Sequence, residues 1–115
     1  MARILYIHWN KDEALDTVRM LRAARHTVAY HCDSGEEAWK LLKQKPPDAL
    51  VVSLERLPSH GRRVAAVTRE YKKLRELPVI FVGGAAEKVE VARREFPGAT
   101  FCGFDSLVGV LAKRL

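Results

Sequence analysis

His26-Thr-Val-Ala-Tyr-His-Cys-Asp-Ser-Gly-Glu-Glu-Ala-Trp-Lys-Leu-Leu42 holds a complete change of secondary structure in seventeen residues. Thr27–His31 is rich in β-branched and aromatic side chains, which favour a pleated strand. Ser34-Gly35-Glu36-Glu37 has the form of a capping box: the serine hydroxyl serves an exposed helix amide and Glu37 reaches back. Ala38, Leu41 and Leu42 then fall on one face of a helix. The segment therefore reads as strand, polar turn, amphipathic helix.

Working outward, the same unit recurs. Arg3–Ile7, Ala49–Ser53, Val79–Val82 and Thr100–Gly103 are further short apolar segments of strand composition. Ala14, Val18 and Leu21 share one helical face after the first of them. Val64, Val67, Tyr71 and Leu74 share another, Val89, Ala92 and Phe96 a fourth, and Leu107 to Leu115 supplies a terminal helix. Pro46-Pro47 forces an extended entry to the third strand, while Pro78 and Pro97-Gly98 close the helices before them. Five β-α units in series need right-handed crossovers, and the compact solution is one parallel sheet covered on both faces. Ligands of such a sheet gather at the C-terminal ends of the strands.

The chain has 115 residues, the size of one domain, which we expect to span residues 1–115. Its 48% apolar and 30% charged residues argue against disorder. No apolar run reaches membrane-spanning length and no signal-peptide pattern precedes Ile4, so a cytoplasmic protein without membrane contact is expected. Cys32 and Cys102 have no ligand partners at metal-binding spacing, so neither a disulfide framework nor a metal is expected, and no cofactor motif is present. Gly83-Gly84-Ala85-Ala86 lacks the spacing and the lysine of a phosphate-binding loop. The net charge is +6 and is uneven: residues 1–57 carry nine basic against eight acidic groups, residues 58–115 eleven against six. Arg62, Arg69 and Lys73, at intervals of seven and four, predict a cationic strip on the third helix, with Arg94 a further anion contact. The region lacks the interleaved aromatics of a single-strand binder, and a solvated face competes with the nucleic-acid reading.

Across nearly its whole length the chain resembles a bacterial response-regulator receiver domain. The quoted stretch looks like the family's second strand and helix, and Pro47-Asp-Ala-Leu-Val-Val-Ser53 resembles the run into its phosphoacceptor strand. Leu77-Pro-Val-Ile-Phe-Val-Gly83 is similar to its fourth strand, and Pro97-Gly-Ala99 to the turn before its fifth. The resemblance implies a flavodoxin-like (βα)5 fold with a five-stranded, doubly wound parallel sheet. It also implies where the family's chemistry should lie, and there this sequence departs from it. The acidic pair that holds Mg²⁺ is matched by His8 and Trp9, the phosphoacceptor aspartate by Ser53, the hydroxyl residue ending the fourth strand by Gly83, and the lysine after the fifth by Phe104 or Asp105. Mg²⁺ needs hard oxygen ligands, and phosphoryl transfer needs charge compensation at the acceptor. A degenerate receiver without phosphorylation chemistry is therefore the expectation, with no enzymatic activity.

By the same resemblance the fourth helix, fifth strand and fifth helix, about residues 85–96 and 101–115, form the surface for a protein partner or a second copy. Val108, Val110 and Leu111 would supply apolar contacts, and the family's aromatic switch position falls on Phe101 or Cys102. Trp9 is expected to fill or cap the former phosphorylation pocket. Asp12 and Glu13 follow the first strand and could each offer one metal oxygen, but the dipole of the helix they open already explains their position. Phosphotransfer through His8 or Ser53 is the last-ranked alternative, since no nucleophile, base and stabiliser can be assembled around either.

Overall fold

In the computed structural model, which describes residues 2–32, 35–56 and 58–115 (for residues 35, 58 and 59 the backbone only), the strand just quoted becomes an edge of the sheet. β1 (Arg3–Ile7), β2 (Thr27–His31), β3 (Ala49–Ser53), β4 (Val79–Val82) and β5 (Thr100–Cys102) form one parallel sheet in the order β2-β1-β3-β4-β5. The Ser34 capping box lies outside the described residues. α1 (Lys11–Ala23), α2 (Gly35–Gln44), α3 (Pro58–Glu70), α4 (Ala86–Glu95) and α5 (Leu107–Arg114) follow the strands in turn. This is the flavodoxin-like arrangement that the sequence predicts.

Strand periodicity divides the core into two layers. Ile4, Tyr6, Val51, Ile80 and Val82 meet Ala14, Val18 and Leu21 of α1 and Leu107 and Leu111 of α5. Leu5, Ile7, Leu50, Val52 and Phe81 meet Ala38 and Leu42 of α2, Val64 and Val67 of α3 and Ala92 of α4. β3 and β4 are buried on both faces, which is why they read as unbroken apolar runs.

The third helix is shorter than its apolar spacing predicts. It ends at Glu70; Tyr71 is extended (φ −109°, ψ 121°), and Lys72–Leu74 is a single 3-10 turn. The Tyr71 hydroxyl accepts from Lys43 Nζ at 3.3 Å, and that ammonium lies 5.0 Å from the Tyr71 ring centroid. A tertiary contact with α2 thus overrides helical periodicity, while Leu74 still reaches the core.

The order reverses between β1 and β3, and the open crevice of such a sheet lies at the strand ends beside that reversal. His8, Ser53 and Gly83 are all at this edge. Among the described residues no helix is long and apolar enough to cross a membrane.

Candidate functional site at the strand ends

The cluster starts from the alternation of β1, which places Tyr6 and His8 on the same face. His8 extends the ladder by donating its N–H to the His31 carbonyl (3.1 Å), and only 2% of its surface is exposed. The Tyr6 hydroxyl lies 2.7 Å from His8 Nδ1, and His8 Nε2 lies 3.1 Å from Glu13 Oε1. Glu13 stands one helical turn into α1, whose start is set by Asn10 Oδ1 accepting from the Glu13 N–H at 3.0 Å. The other Glu13 oxygen accepts from Arg56 Nε at 2.9 Å and from Arg56 Nη2.

An ionised carboxylate only accepts, so His8 donates from Nε2 to Glu13 while its Nδ1 meets the Tyr6 hydroxyl. Burial pushes the Tyr6 phenol well above its ordinary pKa, and the neighbouring Thr17 and Ser53 side chains only partly offset it. Ser53 is fully buried, and its Oγ accepts from the Glu55 N–H at 3.1 Å. A chain of hydrogen bonds therefore runs from β1 to α1 and on to the loop before α3.

The Arg56 guanidinium, followed by the His8 hydrogen bond, holds the Glu13 carboxyl below its ordinary value. A carboxyl depressed in the fold contributes stability that is present above its unfolded value, 4.5, and is lost as pH falls through its folded value. Urea midpoints measured from about pH 3 to 6 should fall on the acid side, and Arg56→Gln should shrink that fall. An unchanged acid limb in Arg56→Gln would show that the ion pair contributes nothing.

Opposite this chain, Gly83 and Gly84 have φ of 71° and 92°. A Cβ on Gly83 would meet Phe104 Cε2 at 2.5 Å and Glu55 Oε2 at 3.1 Å. Glu55 accepts from the Gly84 N–H, so the second carboxylate of the edge is also committed. Of the two candidates for the family's lysine position, Phe104 faces the cluster, its ring 6.3 Å from that of His8, whereas Asp105 is exposed. A cavity of about 280 Å³ remains between His8, Glu13, Glu55 and Phe104. Among the described residues no three His, Cys, Asp or Glu side chains converge as a metal site.

Several expected residues lie elsewhere. Trp9 does not fill the strand-end pocket; as the neighbour of His8 it points to the opposite face, packs with the α2–α4 layer and sits 5.3 Å from the His60 ring. Phe104 occupies the place that Trp9 was expected to take. The cationic strip is not a free face either. Arg62 pairs with Glu95 at 3.4 Å and Arg69 Nη1 donates to the Glu95 carbonyl at 2.7 Å, whereas Lys73 lies beyond the end of α3 and Arg94 is exposed on α4.

On the expected partner surface Leu111 is fully buried against the sheet and unavailable, while Val108 and Val110 are half-buried. Phe101 stacks on Phe81 (5.2 Å, 14°) beneath the Arg93 guanidinium, 4.7 Å away. Cys102 is half-buried, which raises its thiol pKa.

Sequence reasoning missed Tyr6, Glu55 and Arg56 and assigned Glu13 only to the helix dipole. The i, i+2 spacing of Tyr6 and His8 was a usable signal for the first; the loop residues carry no periodicity that could have announced them.

No protein-family model matches this chain, and no curated protein matches it by sequence. Solved structures do match. The Vibrio cholerae chemotaxis protein CheY4 superposes with a TM-score of 0.78 at 19% identity, over 100% of this chain and 99% of that one. The signal receiver domain of a response regulator from Bermanella marisrubri gives 0.77 at 20%, covering 96% and 95%. The receiver domain of sensor histidine kinase PA1611 from Pseudomonas aeruginosa PAO1, which coordinates magnesium in its active-site cleft, gives 0.72 at 19%, covering 88% and 82%. The chain therefore has the fold of response-regulator receiver domains.

Proposed function

We propose that this chain is a phosphorylation-independent, receiver-like interaction module of signal transduction, non-enzymatic and acting as one unit over residues 1–115. The observation that carries the reading is the state of the strand-end edge: the Phe104 ring lies against Gly83, and the three carboxylates that line the cavity all have partners, Glu13 in Arg56 and His8, Glu55 in the Gly84 amide and Asp16 in the exposed Arg19 at 3.6 Å. A receiver fold implies Mg²⁺, and the groups here do not fit it. An imidazole with both nitrogens hydrogen-bonded and a buried serine replace the hard anionic oxygens that such an ion requires. Ser53 is also too enclosed to meet a phosphodonor, and both ring nitrogens of His8 are engaged.

Without metal or acceptor, nothing at this edge binds two arrangements of the domain differently, and a switch needs such a difference. The module then signals by being present and bound. Its contact surface is placed on α4, β5 and α5, where Phe101, Val108 and Val110 are half-buried; a protein partner is the first reading and a second copy of the chain the other.

The test is a thermal melt with Mg²⁺ and beryllofluoride, a mimic of the acyl phosphate. An unchanged midpoint at millimolar concentrations is expected. A saturable rise that disappears in Ser53→Ala would overturn the reading.

A further inference from the structure

At the opposite edge of the sheet, where the strands begin, a cavity of about 550 Å³ opens between the end of α3, the entry to β4, the turn after α4 and the end of α5. Its walls bring together Arg69, Arg75 and Arg114, which come from three separate parts of the chain. Apolar side chains also line it, among them the half-buried Leu77, Pro78 and Ala99. We infer that this cavity binds a small phosphate monoester with a flat apolar body, of the size of a nucleoside monophosphate.

The argument rests on charge, pre-organisation and shape. Two carboxylates, Glu76 and Glu95, line the cavity, and Glu95 is paired with Arg62 from outside it. Within the cavity three guanidiniums stand with two carboxylates, one of which is offset by Arg62 from outside. Arg69 is held in place: Nη1 donates to the Glu95 carbonyl and the guanidinium lies 4.4 Å over the Phe96 ring, which leaves its other donors available.

The carboxyl ends of α3, α4 and α5 all point to this edge, and their partial negative charge accounts for a cation in a last helical turn, as with Arg69 and Arg114. It does not account for Arg75, which follows the 3-10 turn. Neither Arg75 nor Arg114 has an ion-pair partner among the described residues. Guanidiniums recognise phosphate through paired N–H donors, and the volume suits a ligand of this class. The apolar side chains beside the arginines, Leu77, Pro78 and Ala99, select a ligand with a body rather than a bare ion, and the concave form selects a small molecule rather than a polymer backbone.

The test is calorimetric titration of the intact chain with adenosine 5′-monophosphate, inorganic phosphate and adenosine, repeated on Arg75→Gln/Arg114→Gln. Both arginines are exposed, so the double variant should keep its fold, which its far-UV spectrum checks. Saturable binding of the monophosphate is expected, about tenfold tighter than either fragment and about tenfold weaker in the double variant. The inference fails if the monophosphate does not bind at millimolar concentration, if inorganic phosphate binds equally well, or if the folded double variant retains full affinity. In that last case the arginines serve the helix ends alone.

Discussion

Gly83→Thr, the substitution that would restore a receiver-like hydroxyl at the end of β4, is expected to destabilise the fold by about 2–4 kcal/mol. Two effects add. A threonine at φ 71° is β-branched in a left-handed conformation, and its Cβ would stand 2.5 Å from the Phe104 ring. They separate in a double-mutant cycle. Phe104→Ala in the same chain should return the overpacking part and leave the backbone strain, a coupling of about 1–3 kcal/mol. Urea unfolding of the four proteins measures it. Additive effects would mean that Phe104 is not seated over Gly83, and the closed edge that underlies the proposed function would lose its main support.

Trp9→Ala is expected to lower stability by about 2–4 kcal/mol. The loss should appear on the α2–α3 side, because the indole packs there and shares a cavity of about 310 Å³ with His60, Trp39, Val64 and Val67. The Tyr6–His8–Glu13 chain lies across the sheet and should persist, so the ring resonances of Tyr6 and His8 should keep their positions while those of His60 move. Displaced Tyr6 and His8 resonances would place Trp9 in the strand-end cluster after all.

The fate of Trp9 shows where the sequence could be read and where it could not. The alternation of strands and helices and the buried helix faces follow from apolar periodicity, and the flavodoxin-like arrangement from the family resemblance: Ala14, Val18 and Leu21 bury as a set, as do Ala38 and Leu42. Likewise, His8, Ser53 and Gly83 reach one edge because each ends a parallel strand or follows one. What failed was the assumption that neighbours in sequence share a pocket. His8 carries the alternation of β1 one residue past its end, which makes Tyr6, two residues back, its partner, while Trp9 in the bend that follows packs on the other layer. Glu55 and Arg56 belong to the loop before α3 and act through contacts 29 and 43 residues away, to Gly84 and Glu13. No local pattern encodes such contacts. The same holds for the cationic strip: spacing placed Arg62 and Arg69 on one face, but the chain returns at Glu95 to meet them.

The two tryptophans, Trp9 and Trp39, line a single cavity on the α2–α3 side, and Lys43 Nζ lies 3.9 Å from the Trp39 ring centroid. The layer formed by α1 and α5 contains no indole, its aromatic groups being Tyr6, Tyr30 and Phe104. Emission excited at the red edge of the absorption band is therefore a one-sided signal. It follows the aromatic groove beside α2 and is blind to the hydrogen-bonded edge and to α5, so spectroscopic silence from this protein speaks for only half of it.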